Sequence, residues 1–277
     1  MSIGVNNNQA ALIALQNLNR TQDELTGAQK RISTGRTVND AKDNASVWSI
    51  AQKQRGDIGA LSAVKMSLDR ASSIGNVSMI AGTSISDLLV QMKEKVTAAM
   101  DTSIDTVSRT ALNNDFRALL KQIKSTADNA TFDGANILDG SVTVGIKFLS
   151  NADATSSITL AVQNMSIGGT NITFSTGSTI LTATLASAVM TKLSASLINV
   201  NTSMGSMGAQ VRQIEAHNVF VSKLSDALET GISRLVDADM AKESARLQAL
   251  NVKQQLGAQS LSIANQAPQI VLRLFQN

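Results

Sequence analysis

The chain of 277 residues has a formal net charge of +3, charged side chains at only 16% of positions, no cysteine, no tyrosine, and one histidine, one tryptophan and one proline. A zinc or iron centre needs several converging Cys, His or carboxylate ligands, which a lone His217 does not supply, and a disulfide framework has no material; no metal and no cofactor are expected. Lysines and arginines are interleaved with acids and aromatics are 3% of residues, so neither a phosphate-tracking stripe nor a base-stacking platform forms, and no nucleic-acid partner is expected.

Residues 1–8 place no basic segment ahead of an apolar run and no small-residue cleavage pattern after it, so a cleavable secretory signal is not expected. No stretch approaches about 20 uninterrupted apolar residues, so membrane insertion is not expected either. From about residue 8 to 33, Ala11, Leu15, Leu18, Gln22, Leu25, Gln29 and Ile32 recur at spacings of four and three, the seam of a coiled coil. Gly35 is placed to end this helix in a left-handed turn, with Lys30 and Arg31 near the negative end of its dipole. Asn39 or Asp40 is placed to cap a second helix reaching about Met100. Its stripe is Val47, Ile50, Ile58, Leu61, Val64, Leu68, Ala71, Gly75, Ile85, Leu89, Met92 and Val96. A helix that long cannot bury its stripe within itself. A third, from about 107 to 127, carries Leu112, Phe116, Leu119, Leu120 and Ile123 and is expected to fold back on the second.

Residues 141–187 change character: β-favouring runs at 141–149, 157–162, 171–174 and 179–185 alternate with Asn, Asp, Gly and Ser clusters, as in small hairpins. Four-three spacing then returns at Val200, Met204, Met207, Val211, Ile214, Asn218, Val221, Ser225, Leu228, Ile232 and Leu235, the expected partner strip for the second and third helices. Asn218 and Ser225 are polar seam positions of the kind that fix register. The last helix repeats the pattern at Val236, Met240, Leu247, Leu250, Gln254, Leu261 and Ala264, followed by Ile270, Leu272 and Leu274. The fold class expected is therefore mainly α, a long antiparallel helical coiled-coil bundle built from both termini, with a small β-rich outer insert. An apolar stripe at each terminus must be covered by the other terminus or by another copy of the molecule, so the expected function is assembly.

The remaining features read as structure. His217 lies one step from the seam without partners for catalysis, and the methionines on helical stripes fill gaps in a core. Gly168-Gly169 reads as a turn and Gly205 with Gly208 as a close helix approach. Gly75, Gly82, Ser72 and Ser73 make the second helix thin enough for close lateral packing between subunits. No nucleophile, base or metal ligands converge, so an enzyme is not expected.

Several motifs resemble one family. Gln29-Lys-Arg-Ile-Ser-Thr-Gly-Arg-Thr-Val-Asn-Asp-Ala-Lys-Asp-Asn-Ala45 is similar to the Arg-Leu-Ser-Ser-Gly turn and acidic helix start of bacterial flagellins. Phe132-Asp-Gly-Ala-Asn-Ile-Leu138 resembles their Phe-Asn-Gly-x-x-Leu-Leu loop, and Gln254-Gln255 with Ala264-Asn-Gln-Ala-Pro-Gln-Ile-Val-Leu272 their C-terminal signature. The short centre resembles alphaproteobacterial members. The resemblance covers about residues 1–140 and 190–277.

The resemblance implies a subunit that polymerises into the flagellar filament for swimming. The domains implied are an N-terminal inner-tube helix (1–40), an inner helical domain (41–140 and 188–238), a variable outer insert (141–187) and a C-terminal inner-tube helix (239–277). Leu15, Leu18, Leu25, Ile32, Leu247, Leu250, Leu261 and Leu274 then pack the filament core, while Val200, Met204, Met207, Val211, Ile214, Leu228, Ile232 and Leu235 form the inner-domain seam. Residues 1–33 and 240–277 are expected to be frayed in the monomer and to fold on assembly. The partners implied are the chain itself, hook-associated and cap proteins, an export chaperone and the flagellar type III export apparatus, with an extracellular location. Ser or Thr within 141–187 are candidate O-glycosylation sites. Where flagellins sensed by an animal innate receptor carry Arg-x-Arg-Glu-Leu, this chain has Gln91, Met92, Lys93, Glu94 and Lys95, which implies weak activation. A hook-filament junction protein is the alternative with similar termini.

Overall fold

The computed structural model describes residues 8–274, with side chains as far as Gln266. In chain order the elements are α1 (Gln9–Thr34), α2 (Ala45–Ala99), α3 (Thr106–Asp128), β1 (Ile146–Leu149), β2 (Ser157–Leu160), α4 (Ala183–Val236) and α5 (Met240–Leu274). They fall into two compact units, Met1–Gly56 with Ala227–Asn277, and Asp57–Asp226.

In the first unit, Asn8 caps α1 by accepting the Ala11 N–H at 3.1 Å, and Gly35, at φ +68°, ends it in the left-handed turn. The start of α2 differs from expectation. Asp40 accepts the N–H groups of Lys42 and Asp43, and Asp43 those of Asn39 and Asp40. With these carboxylates closing a turn, Asn44 caps the helix instead, accepting from Val47 N at 3.1 Å. The 35–38 connector is clasped to the α4–α5 connector: Thr37 N donates to Val236 O at 2.7 Å and Ala238 N to Gly35 O at 2.9 Å, around an Arg36–Asp237 bridge. Val38 and Val236 are buried beneath it. Asp239 caps α5 through the N–H groups of Ala241 and Lys242.

In the second unit, α2 and α4 run antiparallel, tied by Asn218 to Asp69, Ser72 to Glu215 and Ser86 to Asn201. Between and beyond these ties, Leu61, Val64, Leu68, Ala71, Ile85, Leu89, Met92 and Val96 of α2 and Val200, Met207, Val211, Ile214 and Val221 of α4 are all buried. A Cβ on Gly75 would stand 2.4 Å from Val211 Cγ2, and one on Gly82 would stand 2.2 Å from Met204 Sδ. These glycines therefore bring α2 onto α4 within one chain, which corrects their reading as contacts between subunits. By length and composition α4 passes for a membrane-crossing helix, although its Val200, Met207, Val211, Ile214 and Val221 are buried within the chain.

Asp105 caps α3 through Ser108 N, and Phe116, Leu120, Ile123 and Ala127 bury its inner face. A two-residue turn follows, Asp133 and Gly134 both at positive φ, closed by Phe132 N to Ala135 O and the reverse bond. Buried Asn136 then donates to Ala127 O at 2.7 Å and accepts from Leu138 N at 2.8 Å, fixing the chain's exit from α3.

The insert has less strand than expected. Only β1 and β2 pair, antiparallel, with Ile146 opposite Leu160 and Leu149 opposite Ser157. The runs at 171–174 and 179–185 are not strands, because helix side chains take the N–H groups that a ladder would use: Thr173 N donates to Ser196 Oγ and Ile180 N to Asn113 Oδ1. Thr182 then caps α4, which claims residues from Ala183 onward. Met165, Ile172, Phe174 and Ile180 remain fully buried, so these irregular segments still supply core.

Candidate functional site: the terminal helix pair

Helices α1 and α5 pack antiparallel. Asn8 donates to Ala264 O at 2.7 Å at one end, Gln22 meets Gln254 in the middle, and Arg31 Nε stands 3.1 Å from Glu243 Oε2 at the other end. The ion contact is largely buried and lies off the line of a hydrogen bond. Arg31 occupies the last turn of α1 and Glu243 the first turn of α5, so each charge also opposes its own helix dipole.

Among the described residues the apolar content of the pair is thin. Leu25, Ala28 and Leu250 form its buried cluster, with Leu247 partly buried against it. Leu18, Ile32 and Leu261 are half-buried, and Leu274 lies outside the residues whose side chains are described. The seam that closes inside the chain runs through Ala11, Ala14, Leu18, Thr21, Leu25, Ala28 and Ile32, whereas Leu15, Gln22 and Gln29 of the expected seam are exposed. Leu15 stands 43% exposed beside Leu12 and Ile13, each at 52%. On α5, Met240 is likewise exposed, and buried Glu243 takes the next seam position.

Electrostatics concentrate at the connector. Lys30 reaches Asp40 at 2.7 Å and Asp43 at 3.5 Å. The Lys30 ammonium, with the Lys42 N–H behind it, holds the Asp40 carboxyl below the usual carboxylate range, and Asp40 in turn raises Lys30. Asp43 is held down by the N–H groups of Asn39 and Asp40. Among the described residues, no three His, Cys, Asp or Glu side chains converge to hold a metal.

Two stretches of the chain match family descriptions: residues 5–143 the bacterial flagellin N-terminal helical region, and residues 190–275 the bacterial flagellin C-terminal helical region. The chain belongs to the bacterial flagellin family. It is 52% identical over 280 residues to flagellin FljJ of Caulobacter vibrioides, covering 100% of this chain and 99% of that one. It is 35% identical to a Brucella melitensis flagellin, covering 97% and 98% respectively. The crystal structure of Bacillus cereus flagellin aligns with a TM-score of 0.49 at 21% identity, over 56% of this chain and 87% of that one. Flagellins are structural proteins, and this one is a subunit that polymerises into the flagellar filament. Nothing in these matches favours the hook-filament junction alternative.

The other flagellin residues singled out from sequence are distributed as follows. Of the inner-domain seam, Val200, Met207, Val211, Ile214 and Ile232 are buried, Met204 and Leu228 are half-buried, and Leu235 is 41% exposed because Val236 takes the buried place. Gln91, Lys93 and Glu94 are exposed on α2, while Lys95 leans toward Asp115 at 3.8 Å. Sequence reasoning missed a polar ladder on α4. Ser196, Ser203, Gln210 and His217 hold the insert through Thr173 N, Asn171 Oδ1, Ala161 N and Ser150 O respectively. Their uniform seven-residue spacing was the available signal.

Proposed function

We propose that the terminal helix pair drives polymerisation, its outer faces becoming buried only between copies. One observation carries this reading: Leu12, Ile13 and Leu15 on α1 and Val252, Leu256 and Ile263 on α5 are between 43% and 62% exposed, on a pair whose buried cluster among the described residues is Leu25, Ala28 and Leu250. Each such side chain contributes about 1.5–3 kcal/mol when fully buried. Several per subunit add to the few contacts that hold the two helices together within one chain.

In this reading residues 1–40 and 239–277 form the filament's inner tube, with Leu15, Leu18, Leu25, Ile32, Leu247, Leu250, Leu261 and Leu274 as its packing set. Residues 41–140 and 188–238 form the surrounding helical domain, and 141–187 face outward with their Ser and Thr as O-glycosylation acceptors. The subunit passes unfolded through the type III export apparatus with its chaperone, and is added outside the cell between hook-associated and cap proteins. The absence of cysteine suits that route.

Short filament seeds added to purified monomer test the reading by electron microscopy, beside a chain ending after Ala241. Long filaments from the intact chain alone are expected. Failure of both to elongate, with a well-folded monomer, would overturn it in favour of a junction protein. The Gln91-to-Lys95 stretch, with Gln91, Lys93 and Glu94 exposed, also predicts weak innate-receptor activation, and a monomer as potent as an Arg-x-Arg-Glu-Leu flagellin in a dose-response assay would refute that.

A further inference from the structure

The terminal pair carries two unlike surfaces. One is a second stripe on α5, where Ala245, Ala249, Val252, Leu256, Gln259 and Ile263 repeat the four-three spacing on a side turned away from α1, all of them exposed. It spans about 27 Å of helix. The other is a groove of about 420 Å³ along one flank of the α1–α5 seam, lined by Leu18, Asn19, Gln22, Gln254, Gln255 and Ala258. Successive residues of a helix point about 100° apart, so Leu256 and the groove residues Gln255 and Ala258 face different directions.

We propose that the α5 stripe of one copy seats in this groove of the next copy. The inference deepens the assembly reading above and rests on it. Charge selects the flank: the groove is lined by amides and apolar atoms alone, whereas the opposite flank presents Glu24, Lys242, Arg246 and Lys253. Burying those charges without partners carries a far larger desolvation penalty than burying the neutral amides of the groove. The stripe is itself uncharged, and its one polar member, Gln259, suits the amides of Asn19, Gln22, Gln254 and Gln255. The large exposed apolar residues of α1 are confined to Leu12, Ile13 and Leu15, too short a run to match the stripe. A stripe meeting a groove is a heterologous contact, which propagates from copy to copy and gives an open helical polymer when its rotation does not close, whereas a stripe meeting its twin closes into a dimer.

The cysteine-free chain makes the test direct. Asn19→Cys and Leu256→Cys subunits are polymerised on seeds separately and as an equal mixture, checked for filaments by microscopy, then oxidised. A disulfide-linked dimer from the mixture alone is expected. Filaments whose mixture stays uncrosslinked, or Leu256→Cys crosslinking to itself as fully as the mixture does, would overturn the proposal. Absence of filaments even from the unsubstituted chain would instead strike the assembly reading. If the cysteine variants fail to polymerise, charge decides. Gln255→Glu is expected to slow seeded elongation at least tenfold and Lys253→Glu less than twofold, and equal slowing by both would overturn the seat.

Discussion

Gly75 and Gly82 show how single side chains fix the spacing of α2 and α4, and they differ in how forgiving they are. Alanine at either position gains about 1 kcal/mol of helix propensity. At 75 the new methyl meets the branched Val211, whose χ1 is held by its helix, so overpacking of about 1–3 kcal/mol wins and Gly75→Ala lowers the melting temperature by a few degrees. At 82 it meets the unbranched Met204, which swings aside, so Gly82→Ala is the milder of the two in parallel thermal melts. Removing a rung of the polar ladder acts differently. Gln210→Ala leaves the Ala161 N–H without its acceptor, at a cost of about 1–3 kcal/mol. The Ala161 amide is then expected to exchange quickly while the β1–β2 amides keep their protection, and uniform loss of protection would refute a local role. The buried seam residues were legible because each obeys the helical period. The ladder was not, because serine, glutamine and histidine look like surface until their spacing is counted against the insert they hold.

Helices dominate the elements, and they were readable from four-three spacing, from Gly35 and from the lack of a proline within α1 to α4. The α1 seam was readable only in part. Ala11, Leu18, Leu25 and Ile32 belong to both possible seams, and the chain closes on the small residues Ala14, Thr21 and Ala28, leaving the larger Leu15 outside. Hydrophobicity alone favours Leu15, but close approach of two helices favours small side chains. The insert misled for another reason: β-propensity cannot register that Ser196 and Asn113 take the N–H groups of Thr173 and Ile180. At the connector the prediction is one of pH. The depressed carboxyls of Asp40 and Asp43 contribute stability that is present above the unfolded carboxylate value of about 3.9 and is lost as pH falls through their lower folded values. The helicity of the terminal pair is therefore expected to hold from pH 5 to 8 and to decline below about pH 4. Because these groups are exposed, the effect is small. Asp40→Asn should reduce the acid step measured by circular dichroism, and an unchanged step would refute the role of the connector.

For the whole molecule the decisive contrast is between its two units. The unit of Asp57–Asp226 holds most of the fully buried side chains, among them Phe116, Phe174, Leu68, Ile85, Met92 and Met165, and its insert adds side-chain ties to α3 and α4. The terminal unit depends on Leu25, Ala28 and Leu250, a few polar bonds and the connector clasp. Cooperativity requires that elements share buried surface, and long helices joined by so little of it open at low free energy. The monomer is therefore expected to unfold in two calorimetric steps, the first removing the helicity of α1 and α5 and the second coinciding with loss of the α2–α4 core. On the proposed assembly, polymerisation binds only the ordered form of the terminal pair and stabilises it by mass action. In filaments the first step should move upward until it merges with the second, and amides of α1 and α5 that exchange fast in the monomer should become slow. A single monomer transition, or terminal amides already slow before assembly, would mean that the pair folds independently and that its exposed faces contribute less to polymerisation than their area implies.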